Sequence, residues 1–185
     1  MKASQLDKSE QNPFTRKFCS QFKDIKSPEE YNYINQSEVY SIAGEDDVEN
    51  LELVLQCMKS VKFSDLEIIY VLQIVVAILN LGNVEFVEQD KTTVDPASTE
   101  YLNNVKKYFQ IKDSESLINC LTKRTIQVGK ESYIEELSLE LAYQARDTLV
   151  KNLYAEMFTW IIGKVNTAIA GDVGNESAAM ARRRQ

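Results

Sequence analysis

Between Ile68 and Leu79 the chain reads Ile-Ile-Tyr-Val-Leu-Gln-Ile-Val-Val-Ala-Ile-Leu, apolar on nearly every side. A helix of this kind must be covered around most of its circumference, so the rest of the chain has to supply layers that pack on it. Periodicity alone leaves two buried strands as an alternative, but the length of the run and the signals at its ends favour a helix. Ser64-Asp65-Leu66-Glu67 has capping-box spacing, Phe63 is placed to pack on Ile68 as a hydrophobic staple, and Gly82 is able to take the left-handed C-terminal conformation. The wider apolar segment 66–81 is interrupted by Glu67, Gln73 and Asn80 and falls short of the ~20 residues that a bilayer span needs. A buried helix, and no membrane span, is the expectation.

The flanking segments carry helical spacing of their own. Ser27-Pro28-Glu29-Glu30 reads as a helix start, and Asp46-Asp47-Val48-Glu49 repeats the capping-box pattern. The second start opens an amphipathic helix with Val48, Leu51, Val54, Leu55, Met58 and Val61 on its apolar side. After Gly82, residues 84–88 alternate briefly as a short strand or extended turn, closed by Pro96. Ser98 then reads as the cap of a helix with Leu102, Val105 and Phe109, and a shorter helix with Leu117, Ile118 and Leu121 follows Asp113-Ser114. From Ser138 the series Leu139, Ala142, Arg146, Leu149, Leu153, Met157, Trp160, Ile161, Val165 and Ile169 predicts a helix of about thirty residues. The organisation is mainly α: a weakly patterned segment 1–27, in which Phe14, Phe18, Phe22 and Ile25 suit a short amphipathic helix, a helical unit 28–170, and a small, polar, flexible tail 171–185.

Composition excludes several functions. The net charge of −7 offers no general field for a phosphate backbone, so nucleic acid is not an expected partner. The chain has no histidine, which removes the commonest general base and metal ligand, and no metal site is expected. Cys19, Cys57 and Cys120 fit neither a disulfide framework nor zinc spacing and read as reduced, mostly buried thiols. Residues 1–7 lack the apolar stretch of a secretory signal, so a cytoplasmic chain is expected. A phosphate-cradling loop needs G-x-x-x-x-G-K-[ST], and the two Gly-Lys pairs, Gly129-Lys130 and Gly163-Lys164, do not fit it. The acidic groups Glu45-Asp46-Asp47 and Glu135-Glu136 read as a helix cap and a polar connection rather than as catalytic carboxylates, so no catalytic residue is assigned.

Five passages, in order, resemble the myosin motor head. Tyr31-Asn32-Tyr33-Ile34-Asn35-Gln36-Ser37 is similar to Y-x-Y-L-N-Q-S, and Ile42-Ala43-Gly44-Glu45-Asp46-Asp47 to I-x-G-x-D-D. Phe63-Ser64, with the run from Ile74 through Leu81-Gly82-Asn83-Val84-Glu85-Phe86, resembles F-S…I-V-A-A-I-L-x-L-G-N-I-x-F. Leu121-Thr122-Lys123-Arg124-Thr125-Ile126 matches L-T-x-R-x-I, and Ala145-Arg146-Asp147-Thr148-Leu149-Val150-Lys151 with Tyr154, Phe158, Trp160 and Asn166 resembles A-R-D-A-L-A-K-x-x-Y-x-x-x-F-x-W-…-N. Thr148 and Val150 depart from that pattern.

The resemblance implies a fragment of the upper fifty-kilodalton subdomain, a helical part of a larger P-loop motor fold with one short hairpin-like β excursion. It implies an actin-based motor that uses ATP and Mg, cytoplasmic and cytoskeleton-associated. Filamentous actin and the rest of the motor head are the implied partners. No cofactor is assigned to this chain, which lacks the P-loop and both switch motifs and is expected to be inactive as an ATPase alone. The segment 124–136 corresponds to the cardiomyopathy loop, and Arg124, Thr125, Gln127, Lys130, Glu131, Ser132 and Tyr133 are the implied actin-contacting residues. In the family an acidic or phosphorylatable residue lies sixteen positions before the Asp of A-R-D, which falls on Glu131, with Ser132 the neighbouring register. Asp147, Tyr154 and Trp160 are expected to pack within the helix layer. The contrasting reading is a free-standing α-helical interaction module, or an inert truncated fragment, with the same fold.

Overall fold

The computed structural model describes residues 16, 18, 20–37 and 39–182. From residue 39 to 182 five helices and two small antiparallel hairpins follow in the order α1 (Asp47–Ser60), α2 (Asp65–Gly82), β1 (Phe86–Glu88), β2 (Thr92–Val94), α3 (Thr99–Phe109), α4 (Ser114–Thr122), β3 (Lys123–Val128), β4 (Glu131–Glu136) and α5 (Leu139–Arg182). Single 3-10 turns at Pro28–Glu30 and Pro96–Ser98 link them. The second proline turn is capped by Asp95, whose carboxylate accepts from Ala97 N at 2.8 Å.

Local chemistry sets the helix starts. Asp46 accepts from the amides of Val48 and Glu49, and Asp113 from those of Glu115 and Ser116. At α2 the box closes in both directions: Ser64 Oγ accepts from Glu67 N at 3.3 Å, and the Glu67 carboxylate accepts from Ser64 N at 2.7 Å. Each such cap contributes about 1 kcal/mol. Phe63 and Ile68 are both buried in one cluster, as a staple requires. Lys164 of α5 donates to the same Glu67, tying the start of α2 to the long helix.

The helix α2 is the centre of the fold, packed against α3 and α5. Its mean hydropathy of 1.8 would satisfy a membrane span by length and composition, but Ile68, Val71, Val76, Ala77, Ile78 and Leu81 are buried among the other helices. The cover is incomplete, because Leu66 and Tyr70 lie exposed along one side. One cluster joins Leu81, Val84, Phe86, Val94, Leu102, Val105, Leu117, Leu121 and Ala142; a second sets Phe18, Leu55, Phe63 and Ile68 against Ile161 and Val165. Phe22 packs with Val76, Ala77 and Tyr108, so the apolar scatter of the N-terminal segment is core; Phe14 lies outside the described residues.

Several expectations are corrected. Among the described residues there are two hairpins rather than one, because the end of the stretch 89–93, polar in sequence, joins Val94 in a strand that pairs with Phe86–Glu88 and buries Thr92 and Val94. Ser98 does not cap α3; its hydroxyl accepts from Glu85 N at 3.1 Å and donates to Asp95 O at 3.0 Å, pinning the entry to β1. The long helix has 44 residues rather than about thirty and continues to Arg182, since no proline interrupts it and single glycines weaken a helix without ending it. Val54 of α1 is exposed, as are Tyr154, Phe158 and Trp160 of α5, although the Trp160 and Phe63 rings stand T-shaped with centroids 5.6 Å apart. Cys57 and Cys120 are exposed rather than buried, and Cys19 lies outside the described residues.

Gly82 is not a left-handed cap. It is the last residue of α2, and a Cβ there would lie 2.5 Å from the ring of Tyr33. Gly82→Ala is therefore expected to lower stability by about 1–3 kcal/mol through overpacking, read from the denaturant midpoint. Adding Tyr33→Leu should recover part of that loss.

Glu67 gives a second test. Hydrogen bonds from Lys164 and Ser64 lower its pKa from 4.5 to about 2. The stabilisation it supplies is present above about pH 4.5 and lost as pH falls towards 2. Thermal melts of the protein and of Glu67→Gln should differ at neutral pH and converge across that interval.

Candidate functional site

The residues singled out by sequence fall in β3, β4 and the turn between them. Lys123 pairs with Glu136, Arg124 with Glu135, Thr125 with Ile134, Ile126 with Tyr133, and Gln127 with Ser132. Gly129, at φ +67°, makes the turn with Lys130. Every residue of β4 is exposed, so the hairpin projects from the body. Its root is fixed, because Leu137 is buried and its N–H donates to Thr122 O at 2.8 Å.

Alternation along paired strands divides these residues between two faces. Arg124, Glu131 and Tyr133 share one face with Glu135; Thr125, Gln127 and Ser132 share the other with Ile134, and Lys130 sits at the tip. The first face is internally satisfied: Arg124 Nε pairs with Glu135, and the Tyr133 hydroxyl donates to Glu131, which raises the tyrosine pKa. The second face carries Ile134 at 74% exposure and no charge except the Lys123–Glu136 pair near the root. The seven residues therefore do not form one continuous surface. Glu135 and Glu136 point to opposite faces and do not form a carboxylate pair.

A second constellation lies inside the protein, where three of the resembling passages meet. Arg146 of α5 is 8% exposed. Its Nη1 donates to Val84 O at 2.9 Å and Gly82 O at 3.3 Å, and its Nε donates to Asp147 Oδ1 at 2.9 Å. The guanidinium lies 5.0 Å from the Tyr143 ring and 5.8 Å from that of Tyr33. The Tyr33 hydroxyl donates to Asp147 at 2.6 Å, while Tyr143 donates to Glu85 and stands edge-on to Phe86. Burial, reinforced by the Asp147 bond, pushes the Tyr33 pKa up to about 12, so this hydroxyl remains a donor at neutral pH. Asn32 donates from its backbone to Asn83 Oδ1 at 2.8 Å and from its amide to Gly82 O at 3.1 Å, and Asn83 donates to Glu30 O.

Sequence reasoning placed Arg146 on the apolar side of a helix and gave it no role. The available signal was a permanently charged residue inside an apolar series, which has to find partners when buried. Asp147 packs as expected, but Tyr154 faces solvent, stacked on Phe158 at 6.5 Å.

Nothing in these constellations fits a nucleotide with its metal. Gly129 turns the exposed hairpin and Gly163 lies within α5, so neither Gly-Lys pair forms a loop that converges amides on a phosphate. No group of three or more His, Cys, Asp or Glu among the described residues is arranged to hold a metal ion.

A helical layer around one apolar helix, a polar knot joining Tyr33, Gly82 and Arg146, and a projecting hairpin define the class: the model of the myosin head (motor domain) matches residues 14–180, and the chain belongs to that family. Among curated relatives it is 33% identical over 148 residues to Myosin-3 of Arabidopsis thaliana, covering 80% of this chain and 13% of that protein. It is 32% identical to Unconventional myosin-Ia of Mus musculus (81% of this chain, 15% of the relative) and 33% identical to Myosin ID heavy chain of Dictyostelium discoideum (83% and 14%). The chain thus spans about 13–15% of the length of these relatives.

Removing the buried charge of the knot tests its weight. Arg146→Met strands Asp147 and two carbonyls and is expected to destabilise by about 3 kcal/mol, whereas Tyr33→Phe should cost about 1 kcal/mol. Chemical denaturation of both single variants and the double variant should show non-additivity, because the two side chains share one carboxylate oxygen.

Proposed function

We propose that this chain is a part of an actin-based, ATP-driven myosin motor and contributes one wall of the actin-binding cleft. The observation that carries the reading is a hairpin whose second strand is exposed along its whole length, rooted in a buried core, on a chain of the myosin head family. Its polar residues Arg124, Thr125, Gln127, Lys130, Glu131, Ser132 and Tyr133 supply contacts with filamentous actin. Such rim contacts act on encounter and on the passage from weak to strong binding more than on final affinity. Glu131 gives a permanent negative charge, so this position needs no phosphorylation.

The rest of a motor head is the second partner in this reading. Leu53 and Val54 of α1, Leu66 and Tyr70 of α2, and Phe158, Ile162 and Ile169 of α5 are exposed. Apolar exposure of this extent marks surface that another body covers. Nucleotide and Mg belong to other parts of such a motor, and the site of action is the actin cytoskeleton.

Co-sedimentation of the purified chain with filamentous actin, at low and raised salt, tests the first partner. Salt-sensitive pelleting is expected, and none at low salt would favour an inert fragment. Glu131→Ala, placed in a complete motor, should weaken the actin dependence of turnover by the equivalent of about 0.2–1 kcal/mol, the range of an exposed charge pair. An unaltered dependence on actin would remove Glu131 from the interface.

A further inference from the structure

We infer that Arg146 is the positioning residue of the β3–β4 hairpin, setting the attitude of an arm whose tip it does not touch. The hairpin has no cover of its own along β4, so its direction is decided at its root. One strand of the root is carried by α4, which runs from buried Thr122 straight into Lys123 of β3, and two further supports act on the other strand. One is the Leu137 amide on Thr122 O, with the Lys123–Glu136 pair beside it at 3.4 Å. The other is the opening of α5, which β4 enters after only Leu137 and Ser138.

Arg146 lies about two turns into α5. Between root and arginine, Ala142 is fully buried and Tyr143 is bound to Glu85. Arg146 then grips the carbonyls of Gly82 and Val84, at the end of α2 and just beyond it. The first two turns of α5 are held by these ties to the most deeply packed helix, and the hairpin inherits that direction. A planar guanidinium serves two carbonyls and a carboxylate at once; an ammonium on a flexible stem keeps the charge but not the fork. Arg146→Lys therefore separates positioning from charge. The arm's orientation is independent of what it touches; only its consequence for actin rests on the function proposed above.

The test uses the whole chain with spin labels on exposed Cys57 of α1 and on Lys130→Cys at the hairpin tip, with Cys19→Ser and Cys120→Ser in the background. Arg146→Lys is expected to broaden the distance distribution between the labels. It should also speed hydrogen exchange at the Leu137 amide by about tenfold, as loss of one charge-assisted bond from a local opening implies, and leave the amides of α1 unchanged. An unchanged distribution, or exchange accelerated equally throughout the chain, would overturn the assignment, the latter because it marks a purely stabilising residue. If Arg146→Lys does not fold, Tyr143→Phe, which keeps the ring and removes the tie to Glu85, should broaden the distribution in its place; a narrow distribution in that variant overturns the inference. Broadening with unaltered actin pelleting would uphold positioning and count against the hairpin as the actin contact.

Discussion

A guanidinium buried beside the end of an apolar helix is expensive to desolvate, and the rest of this structure is arranged around satisfying it. Arg146 has carbonyls of Gly82 and Val84 on one side, Asp147 on another and tyrosine rings over it. These partners come from three stretches of chain that also meet through Ala142 against Leu81 and Val84 and through Asn32 on Asn83 and Gly82. Tyr33 reaches Asp147 only because Gly82 has no side chain to keep its ring away. The position of loop 31–37, the end of α2 and the opening of α5 are thus one packing problem with one solution.

The division of labour along α5 follows from that anchorage. Its first turns are fixed by polar contacts and core burial, and its middle is held by Ile161 and Val165 against Phe18, Leu55 and Phe63, with Lys164 on Glu67. Its other side carries Tyr154, Phe158, Ile162 and Ile169 into solvent. One helix joins the two main clusters of the core and also presents an uncovered apolar stripe, as suits a chain that matches only 13–15% of its relatives' length.

Much of this was legible from local rules. The caps at Asp46 and Ser64 act within a single turn, so the order of side chains fixes them; the expected box closes in both directions at Ser64, while Asp46 caps by accepting from Val48 and Glu49 alone. The resembling passages correctly gave the family. What escaped was interaction at long separation: Tyr33 with Asp147 spans 114 positions and Arg146 with Gly82 spans 64. Gly82 shows the reason. Its place after an apolar run has the same sequence signature whether it caps a helix or makes room for a ring, and only the fold decides which. Thr92 was missed because a threonine's methyl group packs as readily as its hydroxyl faces water, so polarity alone does not exclude a buried strand. The two faces of the candidate hairpin needed its register, which the sequence of a six-residue strand leaves open.

The projecting hairpin has a cost unrelated to any partner. Two strands alone have two outer edges, each a row of unpaired amides and carbonyls ready to accept a strand from a neighbouring molecule. Here the root of those edges carries Lys123, Arg124, Glu135 and Glu136, and Gly129 twists the tip away from a flat strand. Charged side chains at an edge are costly to bury against a second copy, while Ile134 at the centre of one face is not. An exposed two-stranded arm is the place where edge-to-edge aggregation would begin, and its charged root is the guard against that.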